Sequence, residues 1–188
     1  MKILITGVCG FVGSTLAECL LERMEGIRLA GIDNLTRPGA ETNRARIERL
    51  GVEFTHGDLR CASDVAGLPA CDWVIDAAAN PSVLAGLSGA GSSRRLFEHN
   101  LAALGNVLEY CREHEAGLLL LSSSRVYSIP ALATIPLRVV DKAFEVDPLA
   151  PAPQGLTAGG IGVDFSTEAP VSLYGATKLA SEIMALEY

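Results

Sequence analysis

The strongest constraint on this chain is a run of three glycines near its start. Lys2–Thr6 is a short apolar run of strand type that leads directly into Gly7-Val8-Cys9-Gly10-Phe11-Val12-Gly13, and Phe11–Met24 then reads as a helix. A strand that reverses straight into a helix needs a tight turn at Gly7, close backbone approach at Gly10 and close helix–strand packing at Gly13. The helix N-terminus formed in this way presents backbone N–H groups that suit a pyrophosphate.

The same alternation continues along the chain. Arg28–Ile32, Val52–His56, Asp72–Ala77 and Gly117–Ser122 read as strands, and Glu41–Leu50 and Ser93–His114 as helices. In the last helix Leu96, Asn100, Leu101, Leu104, Val107, Leu108 and Cys111 keep a 3.6-residue period with one polar member. The strands are near-continuous apolar runs, as expected where both sheet faces are covered. The fold class is therefore α/β, a Rossmann-type doubly wound parallel sheet with helices on both faces. After Tyr127 the pattern breaks: five prolines in Ile129–Gln154 and four glycines in Gly155–Gly162 make 129–167 a long loop or small insertion. A final helix, Val171–Tyr188, closes a single expected dinucleotide-binding domain over 1–188.

Composition excludes several functions. With 49% apolar residues a core needs no disulfide or metal staple. Fifteen Lys+Arg against 22 Asp+Glu give a net charge of −7, and no stretch gathers the basic residues, so nucleic acid and anionic membrane are poor partners. Apolar runs such as the one ending at Leu121 are too short to span a bilayer. Lys2 and the apolar residues after it imitate a signal peptide, but a single basic residue precedes them and Glu18 spoils the lipoprotein-like box at Cys19. Cys9, Cys19, Cys61, Cys71 and Cys111 contain no Cys-x-x-Cys, and His56, His99 and His114 do not stand at ligand spacing to them. Reduced thiols, a cytoplasmic location and no metal are the expectations.

Candidate site residues fall at the strand ends. Asp33 lies twenty residues beyond Gly13, where a carboxylate accepts hydrogen bonds from adenosine ribose hydroxyls and repels a 2′-phosphate, so NAD is favoured over NADP. Asn34 shares that turn, and the Arg37 guanidinium weakens the preference because it can pair with such a phosphate. Asp58 can accept from the adenine amino group while Leu59 covers its face, and the small side chains of Ala77, Ala78 and Ala79 let a cofactor lie against the backbone. Tyr174 and Lys178, at i and i+4, share one helix face. An ammonium there favours the phenolate form, so Tyr174 can exchange a proton with a substrate hydroxyl or carbonyl as hydride moves. A serine at the end of strand five would align that oxygen. Each motif alone is common, and serine runs are often caps; the order of the set carries the weight.

The Thr6–Gly13 turn, Asp33-Asn34, Ser122–Tyr127 and Tyr174–Lys178 together resemble the extended short-chain dehydrogenase/reductase superfamily of nucleotide-sugar epimerases and dehydratases. Within it, Asp33–Asn43, Phe97–Asn100 and the long segment containing Gly160–Phe165 look like CDP-paratose 2-epimerases. The resemblance implies tightly bound NAD, held partly by Gly7, Gly10, Phe11, Val12, Gly13 and Asn100. It makes Tyr174 the acid/base, and Lys178 its modulator and a ligand of the nicotinamide ribose. Ser123 takes the substrate-hydroxyl role, with Ser124 and Asn80 on the substrate side. Oxidation of a sugar carbon to a ketone, turning of the ketone and return of hydride to the other face are the implied reaction.

Departures touch the substrate more than the cofactor. Asp76 stands where the family often has His, Ser128 where Gly is usual, and Asn80 where the tyvelose enzymes have Gln. Ser124 and Arg125 replace the Asp-Glu of the dehydratases, which argues against dehydration. Family members continue well past the position of Tyr188, so a C-terminal substrate domain is expected to be largely absent, and an NAD-binding module without turnover is the non-enzymatic alternative. The family often dimerises through the helix before strand five and the Tyr-x-x-x-Lys helix. A homodimer using Leu179, Ile183 and Leu186 is therefore possible, unless these residues face the chain's own sheet.

Overall fold

The computed structural model describes residues 1–85, 92–157 and 159–188. Its centre is a five-stranded parallel sheet of β1 (Lys2–Thr6), β2 (Arg28–Asp33), β3 (Glu53–His56), β4 (Trp73–Asp76) and β5 (Gly117–Leu120), in the order β3-β2-β1-β4-β5. Strand order reverses between β1 and β4, which opens a crevice at their carboxyl ends. β1 holds the middle, with Ile5 opposite Gly31 on one side and Ile75 on the other.

Successive β1 side chains point to opposite faces, and both faces are covered. Ile3 and Ile5 pack with Ala17 of α1 (Phe11–Arg23) and Ile47 of α2 (Ala40–Arg49). Leu4 and Val74 pack on the other side with Val65 of α3 (Ala62–Ala66) and with Leu104 and Leu108 of α5 (Ala103–Glu113). Met184 of α7 (Leu173–Glu187) also reaches this second core. The expectation of double coverage holds for the inner strands. At the β5 edge it fails: Leu119 is 47% exposed.

The expected long helix is helical throughout but not uniform. It runs as α4 (Ser93–Phe97), one π-helical turn over Glu98–Ala102, and α5. Asn100 lies within this π turn and is buried. α3, five residues long, is too short to give a periodic signal. β4 and β5 stop at Asp76 and Leu120, one and two residues before the apolar runs do, because the chain there leaves the ladder to line the crevice.

Within 129–167 lie α6 (Ile129–Ala133) and two small antiparallel hairpins, β6 (Leu137–Val140) with β7 (Ala143–Val146) and β8 (Leu156–Thr157) with β9 (Gly160–Ile161). The first turns through Asp141 and Lys142, both at positive φ (46° and 69°), as a two-residue hairpin turn requires. This segment is tied down by a Tyr127–Phe165 edge-to-face contact at 5.5 Å and by the Ser128 N–H donating to the Ser166 carbonyl (2.8 Å). Ile183 and Leu186, on the outer side of α7, are exposed. Among the described residues no helix is long and apolar enough to cross a membrane, and all five cysteines are unpaired.

Leu4, 1% exposed at the centre of the sheet, tests this core. Leu4→Ala is expected to cost about 2–5 kcal/mol, measured as a lower urea midpoint with an unchanged m-value.

Candidate functional site

A cavity of about 430 Å³ opens at the carboxyl ends of the five strands of the sheet. The glycine turn forms one wall. Gly7 sits at φ +62°, its N–H donating to the Ile32 carbonyl (2.9 Å), and a Cβ there would stand 2.9 Å from Ala78 Cα. A Cβ on Gly13 would lie 2.3 Å from the Gly7 carbonyl oxygen, so any other residue would push α1 off the turn. Gly10 is the N-cap of α1, with no side-chain cap and no acidic residue in the first turn to compete for its N–H groups.

Asp33 is locked in place by backbone. Its Oδ2 accepts from Cys9 N (3.0 Å) and its Oδ1 from Leu35 N (2.8 Å), which leaves each oxygen able to accept once more. Asn34 donates from Nδ2 to Asp58 Oδ2 (3.1 Å), bridging the ends of β2 and β3. Arg60 grips both oxygens of Asp58, Nε to Oδ1 at 3.0 Å and Nη2 to Oδ2 at 2.7 Å. That grip holds the Asp58 carboxyl well below the usual carboxylate range. The Cys9 thiol is pushed up to about 12, first by burial and then by Asp33, so it is inert.

The alanine wall is pinned from beneath: Ala78 N donates to Thr6 Oγ1 (3.0 Å), and Thr6 donates to Asp76 Oδ1 (2.5 Å). Opposite stands α7, started by Ser172, whose Oγ accepts from Gly175 N (3.0 Å). A Cβ on Gly175 would lie 2.0 Å from the Arg125 carbonyl oxygen, so α7 rests on the single 3-10 turn Ser124–Val126. Tyr174 and Lys178 both face the cavity. Lys178 is 4% exposed; burial lowers its hold on a proton, while Asp76 and Glu182 oppose that loss.

Gly7, Gly10, Phe11, Val12, Gly13, Asp33, Asn34, Arg37, Asp58, Leu59, Ala77, Ala78, Ala79, Tyr174 and Lys178 thus share one cavity. Four expected residues stand elsewhere. Ser123 Oγ accepts from Arg125 N (3.1 Å) and caps the 3-10 turn that contains Ser124, and neither serine lines the cavity; Ser122 does, and it donates to Glu182. Asn80 lines an adjoining cavity of about 360 Å³ with Arg37, Arg95 and His99. Asn100 is a bracket behind the wall: its Oδ1 accepts from Asn80 N (2.7 Å), and its Nδ2 donates to Asn80 O (3.1 Å) and Thr177 Oγ1 (3.2 Å). Sequence reasoning missed Ser122, Glu182 and Arg60. Glu182 follows Lys178 at i+4 and could have been read from helix spacing; the Arg60 grip on Asp58 depends on a loop conformation that spacing does not encode.

The model of the NAD dependent epimerase/dehydratase family matches residues 3–188. CDP-paratose 2-epimerase of Salmonella typhi is 35% identical over 131 residues, covering 68% of this chain and 38% of that protein. UDP-glucuronate 4-epimerase 2 of Arabidopsis thaliana is 27% identical, covering 100% of this chain and 38% of its own. The structure of UDP-glucuronic acid 4-epimerase from Bacillus cereus, in complex with UDP-glucuronic acid and NAD, superposes with a TM-score of 0.69 at 26% identity over 98% of this chain and 51% of that one. The chain spans about half or less of the length of these proteins.

Asn100→Ala should leave two Asn80 backbone groups and Thr177 without this partner. A loss of about 1–3 kcal/mol in thermal or urea unfolding is expected, with increased hydrogen exchange at Asn80.

Proposed function

This chain belongs to the NAD-dependent epimerase/dehydratase family, and on that premise we propose that it is the cofactor-binding and proton-transfer portion of a nucleotide-sugar epimerase most like CDP-paratose 2-epimerase. The observation that carries the reading is the convergence of the glycine turn, Asp33 and the Tyr174/Lys178 pair on one cavity. Its residues fit a dinucleotide. The uncapped N-terminus of α1 suits a pyrophosphate, Asp33 keeps acceptor capacity for ribose hydroxyls, and the alanine wall leaves space that larger side chains would fill. When bound, NAD supplies the acceptor and then the donor of hydride.

The chain's own contribution is a proton at Tyr174 Oη. Tyr174 takes the proton of a sugar hydroxyl as its carbon is oxidised to a ketone, and gives it back when the ketone is reduced from the opposite face. Lys178, held in the same wall, anchors the nicotinamide ribose and supplies positive charge beside the phenol. Ser122 and Ser123 both stand at the end of β5. Ser122 offers its hydroxyl to the cavity, whereas Ser123 meets the sugar only if it is released from its cap. Asn80 and Ser124 belong to the sugar side of this reading. The preference for a CDP-linked dideoxyhexose, epimerised at C2, rests on the similarity to the Salmonella typhi enzyme. The second reading is an NAD-binding module that does not turn a sugar over. A homodimer through the exposed outer side of α7, with Ile183 and Leu186, fits either reading.

Incubating the protein with NAD and CDP-linked sugars, and following epimer formation by chromatography, separates the readings. The epimerase reading expects a C2 epimer of a CDP-sugar. Tyr174→Phe is expected to lower turnover by at least about 10²-fold with NAD affinity retained. Turnover surviving that substitution would remove Tyr174 from its role, and NAD binding with no turnover of any nucleotide sugar would favour the module.

A further inference from the structure

Beside the cofactor cavity lies the adjoining one of about 360 Å³, to which the proposed chemistry assigns only Asn80. The two cavities share Asn34, Arg37 and His99 in their walls, but the second is lined by neither Asp33 nor Tyr174. Its lining gathers positive charge. Arg37 comes from the loop between β2 and α2, Arg95 comes from α4, and no Asp or Glu among the described residues faces them there. In a chain with 22 acidic and 15 basic residues that is a local reversal of charge. Neighbouring arginines are matched: Glu98 takes Arg94 (2.7 Å), and Asp58 takes Arg60 (2.7 Å). None of the ion pairs among the described residues includes Arg37 or Arg95. Two guanidiniums that line one cavity without a carboxylate repel each other, and an anion between them removes that cost. Neutral donors complete the lining. Asn80 Oδ1 accepts from Ser82 N (3.2 Å), so its amide nitrogen is the end that can donate to a ligand. His99 is partly buried; burial, then Arg60 and Arg95, lowers its pKa against the pull of Asp58 and Glu98, so near neutral pH the ring is uncharged and offers one N–H.

We propose that this second cavity is a phosphate-binding site, in which Arg37 and Arg95 supply the charge and Asn80 and His99 supply neutral donors. Guanidinium suits the task because it is planar, always charged, and able to donate two parallel N–H bonds to phosphate oxygens. Asp33, the carboxylate that would repel such a group, lines only the cofactor cavity, whereas Arg37 lines both. A phosphate held here therefore lies beside the cofactor cavity, at the end where Asn34 and Arg37 stand and away from Tyr174. Two sources carry that chemistry to this place. One is a phosphate on the adenosine ribose of the cofactor; the other is a phosphate of a separate molecule, as in a nucleoside diphosphate. The choice between them rests on the cofactor reading given above; the phosphate site itself does not.

The test is calorimetric titration of the folded protein with inorganic phosphate, in chloride buffer at fixed ionic strength. One saturable phosphate per chain is expected, weakened about tenfold or more in Arg95→Met and in Arg37→Met, since each removes a charge-assisted pair. Both side chains are exposed, so the variants are expected to fold, which circular dichroism checks. Bound phosphate also offsets the positive charge beside His99. The NMR titration midpoint of that ring is expected to rise when phosphate is added, and to rise less in Arg95→Met. Two further arms separate the sources. NADP binding tighter than NAD by a similar factor, with the advantage lost in Arg95→Met, assigns the ribose phosphate of the cofactor. Phosphate binding to the NAD-saturated protein, with NADP bound no more tightly than NAD, assigns a separate molecule. Absence of saturable phosphate binding together with no preference for NADP would overturn the proposal, and so would phosphate binding that both substitutions leave unchanged. Failure to bind either dinucleotide would defeat the cofactor reading, while the phosphate titration would still decide the site.

Discussion

Helix α1 can lie against β1 only because Gly13 has no side chain. A Cβ there would stand 2.3 Å from the Gly7 carbonyl oxygen, closer than any relaxation of a flexible neighbour could relieve, since the obstacle is backbone. From that contact the rest of the site follows. It brings the N-terminus of α1 to the crevice where strand order reverses, and it places Cys9 so that its N–H fixes Asp33. The same turn brings Gly7 against Ala78, so one glycine-rich reversal sets the spacing of both walls of the cavity.

The second constraint is the cost of burying polar groups. Asn100, Thr177, Ser181 and Asp76 are all buried, and no buried side-chain nitrogen or oxygen among the described residues lacks a hydrogen-bond partner. Satisfaction on this scale makes the wall behind the cavity rigid: Asn100 joins the loop after β4 to α7, and Thr6 joins that loop to β1. Tyr174 and Lys178 are therefore presented by a helix held at both its cap and its flank, which is what a proton-transfer pair requires of its scaffold.

Much of this was legible in the sequence because it is local. The glycine turn, Asp33 at the end of β2 and the i, i+4 relation of Tyr174 and Lys178 are short-range patterns, and each places its side chain without knowledge of distant chain. What was not legible depends on geometry between elements. The π turn at Glu98–Ala102 is invisible to periodicity, and so are the partners of the Asn100 within it, Asn80 and Thr177, which come from other elements. Which of three consecutive serines faces the cavity depends on the 3-10 turn that Ser123 caps, and that turn is fixed by Gly175 packing from α7. The hairpins within 129–167 escaped notice because their strands are two to four residues long and lie among prolines and glycines.

The central claim is that the cavity between the glycine turn and α7 holds NAD. Calorimetric titration of the purified chain with NAD, after removal of any nucleotide carried through purification, tests it most directly. A single saturable site per chain is predicted, lost when Gly13→Ala closes the gap between α1 and the turn. Absence of binding by the folded wild-type chain, or binding unaffected by Gly13→Ala, would contradict it.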